Sequence, residues 1–303
     1  MADLIDLSLL PAPAVIEPLD YETILAERKA RLIALTPAED QAAMAATLAL
    51  ESEPIVKLLE ENAYRELILR GRVNDAARAC MLPWATGTDL DNLAALYEVE
   101  RLTIVPADTE AIPPVAAVME TDTALRRRVQ LAPAAMTNAG TRDAYVFHAL
   151  SASGLVKDAK VDSPAGGQVQ VTILSHDGDG TADVALIGIV GTALAADDVK
   201  ALCDTVLVQS AAIVTYSIDA TITVLPGPSP QSVLDAAQSA IDAAVAELHA
   251  IGRDVTLSAL YAAIHQPGAQ GVALASPAAD IVISDTQAAY CTGITLTLAG
   301  VGE

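Results

Sequence analysis

The stretch Ser175 to Asp183, SHDGDGTAD, brings one imidazole and three carboxylates together and is the best candidate in the chain for a site with chemistry. A calcium loop needs oxygen ligands at alternate positions, a glycine at the sixth and a bidentate carboxylate at the twelfth. Counted from Asp177, those places hold Ala182 and Gly188, so the pattern fails at both. Gly178 and Gly180 spell a GxG, but Asp183 stands where a dinucleotide fingerprint has its third glycine, and its charge would repel a pyrophosphate. Alternating Asp and Gly supply the positive φ that a polar turn between a strand and a helix requires. A second reading keeps Asp177 and Asp179 as dispersed carboxylates of an enzyme site.

The remaining reactive residues are scattered. His148, His176, His249 and His265 form no HExxH arrangement, and no P-loop or GxSxG elbow occurs. Cys80, Cys203 and Cys291 are far apart and odd in number, which predicts buried, small apolar side chains in a reducing compartment. No catalytic residue, metal or cofactor is expected.

The balance of 17 Lys and Arg against 39 Asp and Glu leaves a net charge of -22, which disfavours nucleic acid and anionic membrane surfaces as partners. The N-terminal MADLIDLSLLPAP has acids and prolines where a signal peptide needs a basic start and an apolar core. The longest apolar run, Val184 to Ala196, is too short to cross a bilayer and predicts a core helix.

The best-patterned part of the chain runs from Leu50 to Arg101. Ser52, Glu53 and Pro54 mark a helix start, Pro83 marks its stop, and Gly87 to Asp89 begin a second, shorter helix. At 100° per residue, Ile55, Leu58, Leu59, Ala63, Leu69, Val73, Ala76, Ala77 and Cys80 form one apolar stripe. Asn62 and Glu66 interrupt it. Either that edge is solvated, or the two polar groups set register at a subunit interface with Arg65 and Arg72 on the flank as partners.

LESEPIVKLLEENAYRELILRGRVN followed by GTDLDNLAALYEVERL resembles the baseplate J-like proteins of contractile-tailed bacteriophages. The opening IDLSLLPAP, the central TDTALRRRVQ, the late GRDVTLSALYAAIH and ASPAADIVI look like the same family, so the resemblance spans the chain. It implies a structural wedge protein, present in several copies around the tail hub and joined to other wedge proteins and sheath-initiating proteins. It also implies a place in the virion, after assembly in the host cytoplasm.

In order, residues 1–20 with Pro11, Pro13 and Pro18 read as an extended arm, able to lie on a neighbour, or as a disordered tail. Residues 21–100 read as a helical domain. Residues 101–119, with Pro106, Pro113 and Pro114, read as a linker and, near Val105 to Pro114, a hinge. A helix then starts at Asp122 or Thr123 and carries Arg126, Arg127 and Arg128, a basic patch that is either a solvated face or a dock for an acidic neighbour. A turn at Asn138 to Gly140 precedes another helix.

From Leu155 the period changes to two, with strands at Val156 to Val161, Val169 to Ile173 and Val214 to Val224. Ser229 is expected to cap a helix whose inner face is Val233, Ala237, Ala240, Ile241, Ala244 and Leu248. The class expected is α+β, an N-terminal all-helical region followed by two small α/β modules at 120–225 and 226–303. Tyr145 to Pro164 and Tyr261 to Pro277 echo one another, and either a duplication or chance explains it.

Overall fold

The structure, a computed structural model, describes residues 5–11, 13, 15–137, 140–227 and 229–302. The chain is α+β and divides into two compact units, Met1–Glu98 and Val99–Glu303. The first unit holds α1 (Tyr21–Leu35), α2 (Gln41–Leu48), α3 (Pro54–Ala79) and α4 (Gly87–Ala95). Asp20 caps α1 by accepting from the Glu22 and Thr23 amides. Ile24 and Leu25 of α1 are buried against Ala63, with Leu59 and Leu67 beside them. The side chain of Asn74, 3% exposed, holds the Glu17 backbone in both directions, Nδ2 to O at 2.8 Å and N to Oδ1 at 3.0 Å. Around Glu17, the arm therefore lies on the chain's own long helix. Residues 1–4, 12 and 14 of the arm are outside the described residues.

The face of α3 that packs overlaps the expected stripe at Leu59 and Ala63 and departs from it elsewhere. Val56, Leu59, Ala63, Leu67 and Asn74 face inward. Leu58, Leu69 and Val73, assigned to the packing stripe, are 60%, 63% and 57% exposed. They stand roughly 100–160° around the helix from the inward face. The reason is geometric: Val56, Ala63 and Asn74 lie on one narrow seam, and a single helix of 15 residues, α1, covers only that seam of a 26-residue helix. The cysteines also depart from expectation. Cys80 and Cys203 are exposed and Cys291 is half-buried, because they occupy a helix end, a turn and an edge strand.

The second unit begins with a short antiparallel ribbon, β1 (Thr103–Val105) and β2 (Val118–Met119), extended by a bridge between Asp108 and Val115. The stretch expected to be a free linker is thus hydrogen-bonded within the unit. Next come α5 (Asp122–Ala135), capped by Thr121, and α6 (Arg142–Ala152), capped by Thr141. Of the turn expected at Asn138 to Gly140, Asn138 and Ala139 lie outside the described residues.

A three-stranded sheet of β3 (Val156–Asp162), β4 (Gln168–Ser175) and β5 (Thr205–Ser210) follows, with α7 (Val184–Leu194) between β4 and β5. In β4, Val171, Ile173 and Leu174 are fully buried, and Leu186, Val190 and Leu194 of α7 pack with Tyr145 and Ala149 of α6. Among the described residues no helix is long and apolar enough to cross a membrane.

β6 (Ala212–Val224) is the centre of a second sheet. It pairs antiparallel with β7 (Ala269–Ser276) and parallel with β8 (Gln287–Val301). Its alternation is as expected, with Tyr216, Ile218, Ala220, Ile222 and Val224 buried. They pack on Val233, Ala237 and Ile241 of α8 (Pro230–Leu248) and Leu260 and Ile264 of α9 (Leu257–Ile264). Ser229 is at the cap position of α8 but its side chain makes no capping bond. Because β6 belongs to this sheet, the boundary between the modules falls between Ser210 and Ala212, earlier than the expected 225.

Both sheets have a central strand with one antiparallel and one parallel neighbour, but the orders β3-β4-β5 and β7-β6-β8 differ. The central strand follows the echoed helix and strand in one module and precedes them in the other. A simple tandem duplication is overturned by that difference.

Gly154, between α6 and β3, passes under β1. A Cβ there would lie 2.3 Å from the Thr103 carbonyl oxygen, a backbone atom that cannot rotate away. Gly154→Ala is expected to lower stability by about 1–3 kcal/mol through overpacking. Chemical denaturation of the purified chain checks this, with Gly166→Ala, where the Cβ meets open space, as control.

Candidate functional site

The most densely tied region of the second unit is the seam between its two sheets. Its centre is Asp158 on β3, 8% exposed. Oδ1 accepts from Arg127 Nη1 at 2.8 Å and the Ala159 amide at 2.9 Å, and Oδ2 accepts from the Ile251 amide at 2.9 Å. One carboxylate thus joins α5, β3 and the turn after α8. Around it, Leu174, Ala211, Ile251 and Ala288 make a small apolar core shared by the two sheets. Lys160 Nζ reaches Asp285 Oδ1 at 2.6 Å on the same seam.

A second tie lies under α5. Glu120 and Arg128, 7% and 5% exposed, form an ion pair at 2.6 Å. Arg128 also donates to the Glu100 carbonyl at 3.0 Å and Ser151 Oγ at 3.2 Å, while Glu120 Oε2 accepts from the Leu102 amide at 3.2 Å. Each buried charge has several partners, which is what makes its burial tolerable. The three arginines expected to form one basic patch therefore do not. Arg128 turns inward, Arg127 crosses to Asp158, and Arg126 is half-buried, because one helix turn points adjacent residues about 100° apart.

His249 occupies the seam just past α8. Its Nδ1 is 2.9 Å from Lys157 Nζ and its Nε2 3.2 Å from the Asp179 carbonyl oxygen. An ammonium only donates and a carbonyl only accepts, so the ring is neutral with its proton on Nε2. Burial first, then the Lys157 charge, pushes its pKa down. The Tyr290 ring lies edge-on to it, at 5.4 Å between centroids.

The segment SHDGDGTAD is the turn that supplies the Asp179 carbonyl. Gly178 and Gly180 have φ of 60° and 95°, and a Cβ on Gly180 would meet Leu174 Cδ1 at 2.5 Å and His249 Nε2 at 2.8 Å. Ser175 Oγ accepts from the Asp177 amide, and Asp179 Oδ1 from the Thr181 amide, both at 3.0 Å. Asp177 and Asp179 are exposed, and among the described residues no group of three or more His, Cys, Asp or Glu side chains is placed to hold a metal.

In the first unit, Glu66 is bonded to Arg28 of α1 and to Arg70, the latter at 2.6 Å, rather than to Arg65 or Arg72. Those bonds, Arg70 first and then Arg28, hold its carboxyl below the usual range. Arg65 pairs with Glu61 on the same helix, Arg72 is exposed, and Asn62 is half-buried. Sequence reasoning missed Asp158, Lys157 and the Asn74 clasp. Only the charges of Lys157, Asp158 and Lys160 within the strand VKDAKV signalled the first two.

Three family models match the chain in order, the baseplate J-like N-terminal domain over residues 51–108, the baseplate J-like central domain over 137–210 and the baseplate J-like protein C-terminal domain over 216–297. The chain belongs to the baseplate J-like family. It is 51% identical over 300 residues to baseplate protein J of Escherichia phage P2, covering 99% of each chain. The central match ends with β5 at Ser210 and the C-terminal match begins inside β6, so the two separate the sheets where the structure does.

Glu120→Ala leaves Arg128 buried without its carboxylate and is expected to cost about 3–5 kcal/mol in chemical denaturation, against about 1 kcal/mol or less for removing the exposed Glu247 from its pair with Arg253. The depressed His249 pKa stabilises the fold fully above the ordinary imidazole value of about 6.5, and that contribution is lost as pH falls through the lower folded value. Denaturation midpoints measured across that window should fall more steeply for the wild type than for His249→Gln, in which this titration is removed.

Proposed function

We propose that the protein is a structural, non-enzymatic component of a contractile-tail baseplate wedge, present in several copies in a ring around the tail hub, in contact with other wedge and sheath-initiating proteins. Family membership along the whole chain carries the reading. The exposed face of α3 supports it. Leu58, Leu69 and Val73 run along the helix with Asn62, Arg65 and Arg72 among them, an apolar strip with polar markers such as packed helices use to set register. On this reading Asn62, Arg65 and Arg72 meet a neighbouring chain, and Glu66, Arg127 and Arg128 act inside their own. Arg126 completes the interface set on α5.

The same reading includes transmission of the shape change on sheath contraction. The joint between the two units falls at Glu98–Val99, where Glu98 holds a φ of 58°, and not inside the ribbon at Val105 to Pro114. A motion of the helical unit relative to the α/β unit would turn about that joint.

The test is Leu69→Glu. The change is on an exposed position and leaves the melting temperature of the isolated chain unchanged, while the variant is excluded from particles assembled in producing cells, as seen by electron microscopy and by mass of the purified baseplate. Normal incorporation of the variant would remove the α3 strip from the interface. Recovery of the wild-type chain only as a free monomer, never in a tail tip, would overturn the structural reading itself.

A further inference from the structure

A cavity of about 540 Å³ opens between α5, the start of β3, the His176 turn and the end of α8. Leu102, Ile104, Leu150 and Val156 give it an apolar wall. Its charged lining pairs off with one exception. Glu120 faces Arg128 at 2.6 Å, Asp158 faces Arg127 at 2.8 Å, and Glu247 faces Arg253 at 2.6 Å. That leaves Lys157. Its half-buried ammonium has no carboxylate within ion-pair distance among the described residues, and its hydrogen-bond partner is the neutral His249 ring at 2.9 Å. His176 stands beside it at the exposed side of the same cavity. The lining therefore carries an excess positive charge in a protein whose net charge is -22.

We propose that this cavity is a binding site for a small organic acid, its carboxylate on Lys157 and its apolar body against Leu102, Ile104, Leu150 and Val156. The volume suits a ligand of that kind, since small-molecule sites occupy roughly 300–1,000 Å³ and combine apolar walls with a few polar groups. A bound carboxylate gives the ammonium the charged partner it lacks. Burial also pushes the Lys157 pKa down, a shift that an anion in the cavity would reverse.

Binding is coupled to a proton. A carboxylate on Lys157 offsets the ammonium charge that helps hold the His249 pKa down. The ring then takes up a proton on Nδ1 more readily, giving up its bond from Lys157 and adding a second cation to the site. The groups that face this ring are Lys157 from β3, His176 and both the carbonyl and the carboxylate of Asp179 from the turn, and the Tyr290 ring from β8. Of these the Asp179 carboxylate favours the protonated ring, and Lys157 and His176 oppose it. Affinity for the acid thus rises as pH falls through the imidazole range, while the ligand stays ionised.

The experiment titrates the full chain with 4-phenylbutyrate and with its neutral amide, by calorimetry and by amide chemical shifts, at about pH 5.5 and about pH 7.5. The expected result is binding of the acid about tenfold tighter than the amide, tighter at the lower pH, with a loss of about tenfold in Lys157→Met. Ala246→Phe, which fills the cavity from α8 and leaves Lys157 in place, should abolish binding of both and guards against a Lys157 variant that fails to fold. Absence of binding by either compound would overturn the proposal. So would equal affinity for acid and amide, or an affinity that Lys157→Met leaves unchanged. None of these outcomes bears on the baseplate role, which incorporation into the particle decides.

Discussion

The Asp158 carboxylate is the constraint on which the second unit depends. Two small three-stranded sheets cannot bury each other's faces, since each already packs on its own helices. They meet instead along an edge, through four apolar residues and a line of polar groups. Such a seam holds only if its buried donors are satisfied, because an unpaired backbone amide away from water costs about as much as several methylenes of burial return. Asp158 satisfies the Ile251 amide of the partner sheet and the Ala159 amide of its own strand, and Arg127 from α5 neutralises it. The Glu120–Arg128 pair does the same beneath α5, linking the ribbon before it to the helix after it.

This explains why the turn SHDGDGTAD has the composition of a metal loop without its geometry. The turn must bring one carbonyl, that of Asp179, to the His249 ring, and Gly180 leaves room for the close approach. Its carboxylates serve the turn. Asp179 bonds the Thr181 amide, and Asp183 caps α7 through the Leu186 amide at 2.7 Å. The two glycines and two of its acids are accounted for by backbone shape and amide satisfaction.

The first unit follows a different economy of contacts. Its core is thin, with Ile24, Leu25 and Ala63 at the centre and one short helix covering one seam of a long one. The rest of α3 presents leucines and a valine outward, on a chain whose surface is otherwise strongly acidic. Net negative charge keeps free chains apart, and an uncovered apolar strip is the kind of surface that protein partners cover. The salt bridges of α3 lie beside that strip, and Glu66 with Arg28 and Arg70 fastens α1 to it from within.

The sequence by itself determined the element types, the family and most of the helix ends. Periods of 3.6 and 2 arise from local backbone geometry, and caps such as Thr121, Thr141 and Asp183 act within a turn of their own residue. The strand Tyr216 to Val224 was legible because one strand's alternation shows which side is buried, whatever its neighbours. Only the tertiary structure decided which of two apolar flanks of α3 is covered, that β6 pairs with β7 and β8, that Arg127 and Arg128 turn inward, and that Lys157 meets His249. Each of these depends on residues far apart in the chain, such as Asp158 and Ile251, or Glu17 and Asn74. No local pattern encodes which distant group will arrive opposite a given side chain, since that is set by how the elements pack.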